Sequence, residues 1–209
     1  MTTRTSPPFR ADHVGSLLRP PELLEARRQL ADGAIDATEL AAREDAAIRS
    51  AVALQEEIGL RAVTDGEFRR TSWHMDFIYQ LGGIERGDEQ LKVAFKNSDG
   101  GMSFTTAALH VRGKVRLEET IFADAFRFLQ SCTTTAVPKL TIPSPSMVHY
   151  RGGNSAIDPA AYPDPAAFWE DLSAAYRAQL DGVYALGCRY LQLDDTSLAY
   201  INDPAQRAH

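Results

Sequence analysis

Two stretches of the chain decide its fold: GLRAVTDGE at residues 59–67 and GCRYLQLDD at residues 187–195. Each follows a helical pattern and begins with glycine, the residue that tolerates the left-handed position after a helix C-terminus. In each, a short apolar run leads into acidic residues, as is typical of a parallel strand buried on both faces. Two such helix-to-strand units predict an α/β fold of the (β/α) TIM-barrel type, in which functional residues lie at the C-terminal ends of the strands.

The composition is that of an ordinary globular protein, with 209 residues, 44% hydrophobic, 24% charged and a net charge of −6. The negative charge argues against nucleic acid or an anionic membrane as the partner. No apolar run reaches the ~20 residues needed to span a bilayer, and residues 1–8 lack the hydrophobic region of a signal peptide. Two cysteines are too few for a disulfide scaffold, so we expect a reducing cytoplasm.

Local patterns along the chain predict five strands with helices between them in a single domain, residues 1–209. The predicted strands are 11–16, 62–65, 105–117, 138–143 and 190–193. The predicted helices are 22–30, 36–58, 118–131 and 164–187. Residues 92–101 are predicted as a hairpin or a mobile excursion, and residues 148–163 as a long loop. A complete barrel takes about 250 residues, so we expect an incomplete barrel of about the first five βα units.

The apolar residues of the last two helices predict which faces are buried. In the helix at 118–131 the predicted face is Ile121, Phe122, Ala125 and Phe128. In the helix at 164–187 it is Phe168, Leu172, Tyr176, Leu180 and Val183.

The turn at residues 13–16, His-Val-Gly-Ser, is the first candidate site. A Gly-Ser turn after a strand exposes backbone N–H groups and a hydroxyl, which can hold a carboxylate or a phosphate. The alternative is a tight structural turn with a buried, satisfied His13, and the motif by itself favours that alternative.

The acids Asp65 and Glu67 follow the second predicted strand. They have the same parity on an extended segment, which predicts that both side chains point to the same side. A carboxylate at this position can bind an ammonium group, act as a base or bind a metal. Ion pairing with Arg69 and Arg70 is the alternative, and the sequence leaves both open.

The acids Asp194 and Asp195 end the last predicted strand. Either Asp195 or Thr196 can cap the following helix, so we favour Asp194 as the acid of a site. Aromatic clusters at residues 73–75 and 149–151 can stack on a planar ligand, although surface packing is the expected role of each. Cys132 and Cys188 have no partner at zinc-ligand spacing and are interpreted as structural thiols.

Three blocks together resemble the cobalamin-independent methionine synthase family at its C-terminal catalytic barrel. They are RADHVGSLLRP at 10–20, TDGEFRR at 64–70 with Trp73, and LQLDD at 191–195. The chain is most similar to the short single-barrel bacterial and archaeal relatives, of which it resembles the N-terminal portion. That family transfers a methyl group from a folate to the sulfur of homocysteine, which implies a homocysteine S-methyltransferase.

The resemblance also implies roles for individual residues. Val14, Gly15 and Ser16 match the turn that holds the carboxylate of the amino acid, and Glu67 and Asp194 match the acids that hold its ammonium group. The family's stacking tryptophan falls near His149, and an acid that contacts the pterin aligns with Tyr200. Further candidate contacts of the substrate are therefore His13, Trp73, His149 and Tyr200.

Zinc is the expected metal, because the family uses it to deprotonate the thiol. The family's ligands, a His-x-Cys pair, a Glu and a later Cys, and its general-acid histidine lie in the second half of the barrel, and none occurs before His209. The resemblance therefore assigns neither a metal ligand nor a catalytic residue within this chain. The methyl donor is expected to be folate or another carrier, such as a methylated corrinoid.

Three alternatives stay open. The chain can be a catalytically inactive half-barrel or a homocysteine-binding module. It can act on another thiol, such as coenzyme M. It can also be a decarboxylase-like relative acting on porphyrins, for which Arg10 and Arg19 offer the only arginines near the first strand. An open parallel sheet has an unpaired edge, which a homo-oligomer would cover.

Overall fold

The computed structural model describes residues 5–97, 100–150, 153–200 and 204, with the side chains of residues 88–107 and 199–200 left out. By its contacts the chain forms two compact units. The first unit comprises Met1–Trp73, Phe122–Ile142 and Val183–Gln192, and the second comprises His74–Ile121, Pro143–Gly182 and Leu193–His209. The chain passes repeatedly from one unit to the other, and the single domain of residues 1–209 stays a prediction.

Helices and strands alternate along much of the chain, which makes it a mixed α/β protein. The α-helices are α1 (Pro21–Ala31), α2 (Ala37–Glu57), α3 (Met75–Ile78), α4 (Ala123–Cys132), α5 (Ser146–Tyr150) and α6 (Pro165–Ala185). The strands are β1 (Ala62–Val63), β2 (Gly82–Asn97), β3 (Gly100–Arg116), β4 (Val137–Pro138), β5 (Leu140–Pro143) and β6 (Leu191–Asp194). Short 3-10 helices cover Gly153–Ala156 and Ser197–Tyr200. In the described part of the chain, no helix is long and apolar enough to cross a membrane.

Short parallel pairings lie around β1 and β5. β1 pairs in parallel with β4, and next to its C-terminal end Gly66 forms a parallel bridge with Ser16. β5 pairs with β6, where the N–H of Leu140 donates to the carbonyl of Tyr190 at 3.0 Å and the N–H of Ser144 donates to Asp194 at 2.8 Å. The sequence positions advance together, so this pair is also parallel. These sheets are two-stranded, and the barrel stays a prediction.

Three predicted elements differ from the structure. Residues 11–16 contribute only the bridge at Ser16, because Gly15 turns the chain with a φ of +124°. The predicted strand at 105–117 belongs to the longer β3, which pairs antiparallel with β2 in a hairpin and so is not a parallel barrel strand. That hairpin includes residues 92–97 and 100–101, as one reading of 92–101 predicted. The predicted loop at 148–163 instead contains the end of α5 and a 3-10 helix.

The helix boundaries follow the capping residues. α2 begins after Asp36, whose carboxylate accepts the N–H of Glu39 at 2.8 Å, as the sequence predicts. α4 begins only at Ala123, because Phe122 has a left-handed backbone with a φ of 63°. Its buried residues are Phe126 and Leu129, so the predicted face is displaced by about one residue.

The face of α6 also differs at one position from the prediction. Leu180 is 40% exposed, whereas Gln179 is fully buried. The side-chain amide of Gln179 accepts the N–H of Ile121 at 2.8 Å and donates to its carbonyl at 2.9 Å. A buried amide is tolerated here because both of its polar atoms are paired.

Candidate functional site

The turn at residues 13–16 is tied to α2 and β1 through His13. The Nδ1 atom of His13 accepts the N–H of Gly15 at 3.1 Å, so the neutral ring carries its proton on Nε2, which lies 2.9 Å from Oε1 of Gln55. Gln55 in turn exchanges two hydrogen bonds with the backbone of Thr64, at 2.9 and 3.0 Å. Both ring nitrogens of His13 therefore have hydrogen-bond partners within the protein. The N–H of Gly15 is already donated to His13.

Gly15 is held in a space that admits no side chain. A Cβ atom built on it would lie 2.5 Å from Cγ2 of Thr141, and its φ of +124° is one that other residues rarely adopt. Its carbonyl accepts the hydroxyl of Thr64, and the carbonyl of Val14 accepts the amide of Gln192 at 2.7 Å. The turn thus packs directly against β5.

The outer part of the same turn is open. The side chain of Val14 is 69% exposed, and Ser16 is exposed as well. Among the described residues, the hydroxyl of Ser16 has no hydrogen-bond partner. Val14 and Ser16 are therefore the accessible part of the predicted carboxylate-binding turn. Gly15 is its buried residue, whose positive φ makes the turn possible.

The segment that carries Asp65 and Glu67 is not extended, so the premise of the parity argument was wrong. Gly66 and Glu67 both have left-handed backbones, with φ of +66° and +58°, which curl the chain immediately after β1. In this turn the carboxylate of Asp65 accepts the backbone N–H of Glu67 at 2.9 Å. Asp65 therefore stabilises the turn that presents Glu67.

The carboxylate of Glu67 is buried, with 3% of the residue exposed. Its Oε1 accepts the hydroxyl of Thr141 at 2.7 Å and lies 3.4 Å from Nη1 of Arg70. Glu67 therefore forms an ion pair with Arg70, which was the alternative role predicted for it. Arg69 does not take part and pairs with Glu44 at 3.3 Å and with Asp45. A carboxylate buried this deeply is retained only because it is paired.

Two further arginines hold the backbone of this turn, a role that the sequence did not predict. Arg19 donates to the carbonyl of Glu67 at 3.0 Å and to that of Arg70 at 2.7 Å. Arg27 donates to the carbonyl of Arg70 at 3.0 Å and to that of Phe68. Arg19 thus has a structural role in this turn, and the porphyrin alternative stays open.

Lys139 anchors the segment that leads into the turn. Its side chain is fully buried, and Nζ lies 3.1 Å from both carboxylate oxygens of Asp12 and also donates to the carbonyl of His13. Burial raises the pKa of Asp12, but hydrogen bonds from Tyr190 and Lys139 outweigh it and leave the pKa below its usual range. The hydrogen bond to Asp12, together with burial, raises the pKa of Tyr190 to about 12.

Asp195 and Asp194 belong to the second unit, and the structure gives them different roles. The carboxylate of Asp195 accepts the N–H of Ser197 at 2.8 Å, which caps the final 3-10 helix, and the hydroxyl of Ser146 at 2.6 Å. Burial raises the pKa of Asp195, yet hydrogen bonds from Ser146 and Ser197 lower it to about 2. Asp194 is half-buried, and its carbonyl accepts the N–H of Ser144.

The remaining candidate contacts lie in different places. Trp73 is half-buried in the first unit, where its carbonyl accepts Nη1 of Arg70 at 3.4 Å. His149 is on α5 in the second unit, 3.0 Å from Oδ1 of Asn154 and with its ring centroid 5.1 Å from that of Trp169. The side chain of Tyr200 lies outside the described residues. The first unit therefore gathers His13, Val14, Gly15, Ser16, Glu67 and Trp73, whereas Asp194 and His149 are in the second.

The described residues do not fit the zinc ion that the resemblance implies. Within them, no group of three or more His, Cys, Asp or Glu side chains could hold a metal ion. Burial raises the pKa of the Cys188 thiol, whose Sγ lies 3.4 Å from the carbonyl of Tyr190. A raised pKa disfavours the thiolate that binds metals, so we derive no step through zinc.

A cavity of about 430 Å³ lies in the second unit at the base of the β2–β3 hairpin. Its walls include Gly82, Gly83, Arg112, Arg116 and Glu118. None of the residues predicted to bind substrate lines it. Arg116 pairs with Glu118 at 2.5 Å on an exposed surface. Among the residues that line this cavity, no polar side chain is buried, so nothing there identifies a ligand.

The amino-acid sequence is similar to those of several known bacterial proteins. No protein-family model matches the chain. The uncharacterised protein YxjH of Bacillus subtilis is 42% identical over 190 residues, which are 91% of this chain and 48% of YxjH. A 5-methyltetrahydropteroyltriglutamate–homocysteine methyltransferase of Thermotoga maritima is 37% identical over 78 residues, 37% of this chain and 11% of that protein.

A solved structure is similar over nearly the whole chain. It is the crystal structure of a Listeria monocytogenes protein with a provisional assignment as a vitamin-B12-independent methionine synthase. The identity is 38% and the TM-score 0.77, covering 94% of this chain and 54% of that one. The chain therefore spans about half the length of YxjH and of the Listeria protein, and it shares the fold of that portion.

Proposed function

We propose that the chain is the N-terminal part of a homocysteine S-methyltransferase of the cobalamin-independent methionine synthase type. The similarity to the Listeria protein supports this lineage over 94% of the chain. The match to the Thermotoga methyltransferase supports the substrate, although it covers only 78 residues. The whole protein would make methionine by moving a methyl group to the thiol of homocysteine.

The proposed fold is the first part of a (β/α) barrel. The parallel pairings support it, because each joins segments that a barrel places side by side: Ser16 with Gly66, β1 with β4, and β5 with β6. Only Lys139 separates β4 from β5. In such a barrel, the turn after β1 would lie on the C-terminal face, where barrel enzymes bind substrate.

One observation carries the proposed binding of an amino acid: the open turn at 14–16 and the buried carboxylate of Glu67 both contact Thr141. An amino acid is a zwitterion, and it needs donors for its carboxylate and an acceptor for its ammonium group. The exposed hydroxyl of Ser16 suits the first role, and Glu67 suits the second. This proposal is supported by the position of Thr141, whose side chain lies beside Gly15 and donates to Glu67.

The other assignments rest on the resemblance alone. Asp194 is proposed as a second acid for the ammonium group, with His13, Trp73, His149 and Tyr200 as further candidate contacts. The methyl donor is proposed to be a folate or another methyl carrier. Zinc and the general acid would be supplied by residues outside those described.

The binding proposal is tested by titrating the chain with L-homocysteine in a calorimeter. We expect saturable binding, which Glu67→Gln weakens by roughly 100- to 4,000-fold, because removing one partner of a buried charge costs roughly 3–5 kcal/mol. Glu118→Gln is the matched control, since it makes the same change of charge at an exposed ion pair. Absence of binding to the unmodified chain, or equal binding by Glu67→Gln, would contradict the proposal.

A methyl-transfer assay on the full-length protein separates the open alternatives. Transfer to homocysteine supports the proposed enzyme. Binding without transfer would point to a homocysteine-binding module, and transfer to coenzyme M instead would identify a different thiol. Asp194→Asn should lower the affinity for homocysteine as Glu67→Gln does, and unchanged affinity would remove Asp194 from the site.

A further inference from the structure

We propose that Thr141 is a positioning residue that orients the carboxylate of Glu67 towards the ammonium group of a bound amino acid. It lies on β5 and is 2% exposed. Neither the motifs nor the resemblance pointed to it, because residues 138–143 were predicted only as a strand. The inference rests on the proposed function, and it adds the residue that would make the site selective for an α-amino acid.

The two branches of the Thr141 side chain have separate contacts. The hydroxyl donates to Oε1 of Glu67 at 2.7 Å. The methyl group, Cγ2, lies beside Gly15. A Cβ atom built on Gly15 would be only 2.5 Å from this methyl group. One β-branched side chain therefore touches the turn that would bind a carboxylate and the acid that would bind an ammonium group.

The main chain of the same residue adds a third link. The carbonyl of Thr141 accepts Nη2 of Arg70 at 2.8 Å, and Nη1 of Arg70 lies 3.4 Å from Oε1 of Glu67. Thr141 and Arg70 thus hold one carboxylate oxygen from two directions. A hydroxyl has a single proton to donate, and this one is given to Glu67, which fixes the orientation of the carboxylate relative to the turn.

Two substitutions separate the two branches. Thr141→Val keeps the shape and the contact with Gly15 but removes the hydroxyl. Thr141→Ser keeps the hydroxyl but removes the methyl group. If Thr141 acts by orienting Glu67, the valine variant loses recognition of the ammonium group and the serine variant retains it.

The test measures the affinity of the full chain for L-homocysteine and for 4-sulfanylbutanoate, which has the same carboxylate and thiol but no ammonium group. We expect Thr141→Val to weaken homocysteine binding by about tenfold, the typical effect of losing a hydrogen bond to a charged group. Its affinity for 4-sulfanylbutanoate should be unchanged. Thr141→Ser should bind homocysteine within about twofold of the unmodified chain, since the bond to Glu67 survives.

Each contrary result has its own meaning. Equal weakening of both ligands by Thr141→Val would show that Thr141 only supports the fold, and unchanged homocysteine binding by Thr141→Val would show that it does not orient Glu67. Either result overturns the inference while leaving the proposed function intact. Failure of the unmodified chain to bind homocysteine overturns the proposed function itself, and the inference with it.

Discussion

The two helix-to-strand units share one sequence pattern, but their strands differ in burial. On β1, in the earlier of the two sequence segments, Ala62 and Val63 are 1% and 0% exposed. On β6, in the later segment, Leu193 is 46% exposed. β1 pairs in parallel with β4, and Gly66, three residues beyond the end of β1, forms a parallel bridge with Ser16. β6 pairs with β5 and, among the described residues, with no other strand. The pattern therefore specifies a strand, and the neighbours decide whether it is buried.

The acids that follow the two strands differ in the same way. Asp65 and Glu67 are buried and are satisfied by a backbone N–H, a hydroxyl and an arginine. Asp194 and Asp195 are half-buried, and Asp195 is satisfied by serine hydroxyls and a helix end. The acids beside the enclosed strand are thus themselves enclosed, whereas those beside the half-exposed strand are not.

The largest expected effect compares the two strands directly. Val63→Ala should lower the free energy of unfolding by about 2 kcal/mol, because it opens a cavity at a fully buried position. Leu193→Ala removes more atoms but should cost less than about 1 kcal/mol, since much of the side chain is already in water. Urea denaturation followed by circular dichroism measures both. An equal loss at the two positions would show that β6 is covered in solution as β1 is.

The next effect compares Gly59 and Gly187, the glycines that follow α2 and α6. Here the second helix-to-strand segment is expected to be the more sensitive to substitution. Both have left-handed backbones, with φ of +86° at Gly59 and +94° at Gly187. An alanine at either position should cost roughly 1–2 kcal/mol from backbone strain alone. A Cβ atom at Gly59 meets nothing within 4 Å, whereas one at Gly187 lies 3.0 Å from Nε2 of Gln130.

Gly187→Ala should therefore be the more damaging of the two by a few tenths of a kcal/mol, because the Gln130 amide must move away from the carbonyl of Leu186 that it binds. Thermal unfolding of the two variants side by side measures the difference. If Gly59→Ala proves the more damaging, the contact with Gln130 does not restrict this position.

The smallest expected effect concerns Glu56, whose carboxylate lies near the end of α2. Glu56, near the end of α2, accepts the backbone N–H groups of Thr134, Thr135 and Ala136 at 2.9, 2.8 and 2.9 Å. Burial raises the pKa of Glu56, but the Thr134 hydroxyl and these N–H groups lower it from 4.5 to about 2. Because the folded-state pKa is depressed, this stabilisation is present above about pH 4.5 and is lost as the pH falls towards 2.

Glu56→Gln should lower the free energy of unfolding at pH 7 by on the order of 1 kcal/mol or less, since solvent still screens this partly exposed carboxylate. Its unfolding free energy should also fall less steeply between pH 5 and pH 2 than that of the unmodified chain, in proportion to the shift. Denaturation curves across that range measure the slope. Parallel pH profiles for the two proteins would mean that Glu56 contributes nothing specific to this linkage.

The sequence predicted some elements correctly because their signals are local. Asp36 caps α2, and Gly59 and Gly187 have the left-handed backbones expected of residues that end helices. It failed where partners are distant along the chain. The parity argument for Asp65 and Glu67 assumed an extended segment, and nothing local reveals that Glu67 has a positive φ. Thr141 was missed because its contacts, Gly15 and Glu67, are 126 and 74 residues away in sequence.

The sequence by itself determined where α2 begins, which glycines follow α2 and α6, where β1 and β6 fall, and which turns carry acids or a Gly-Ser pair. These depend on backbone preferences that act over a few residues. Only the tertiary structure decided that Gly15 must be glycine, that Glu67 is paired with Arg70 and bound by Thr141, and that β1 is enclosed while β6 is half-exposed. Burial and pairing are properties of the neighbours in space, which a local pattern does not specify.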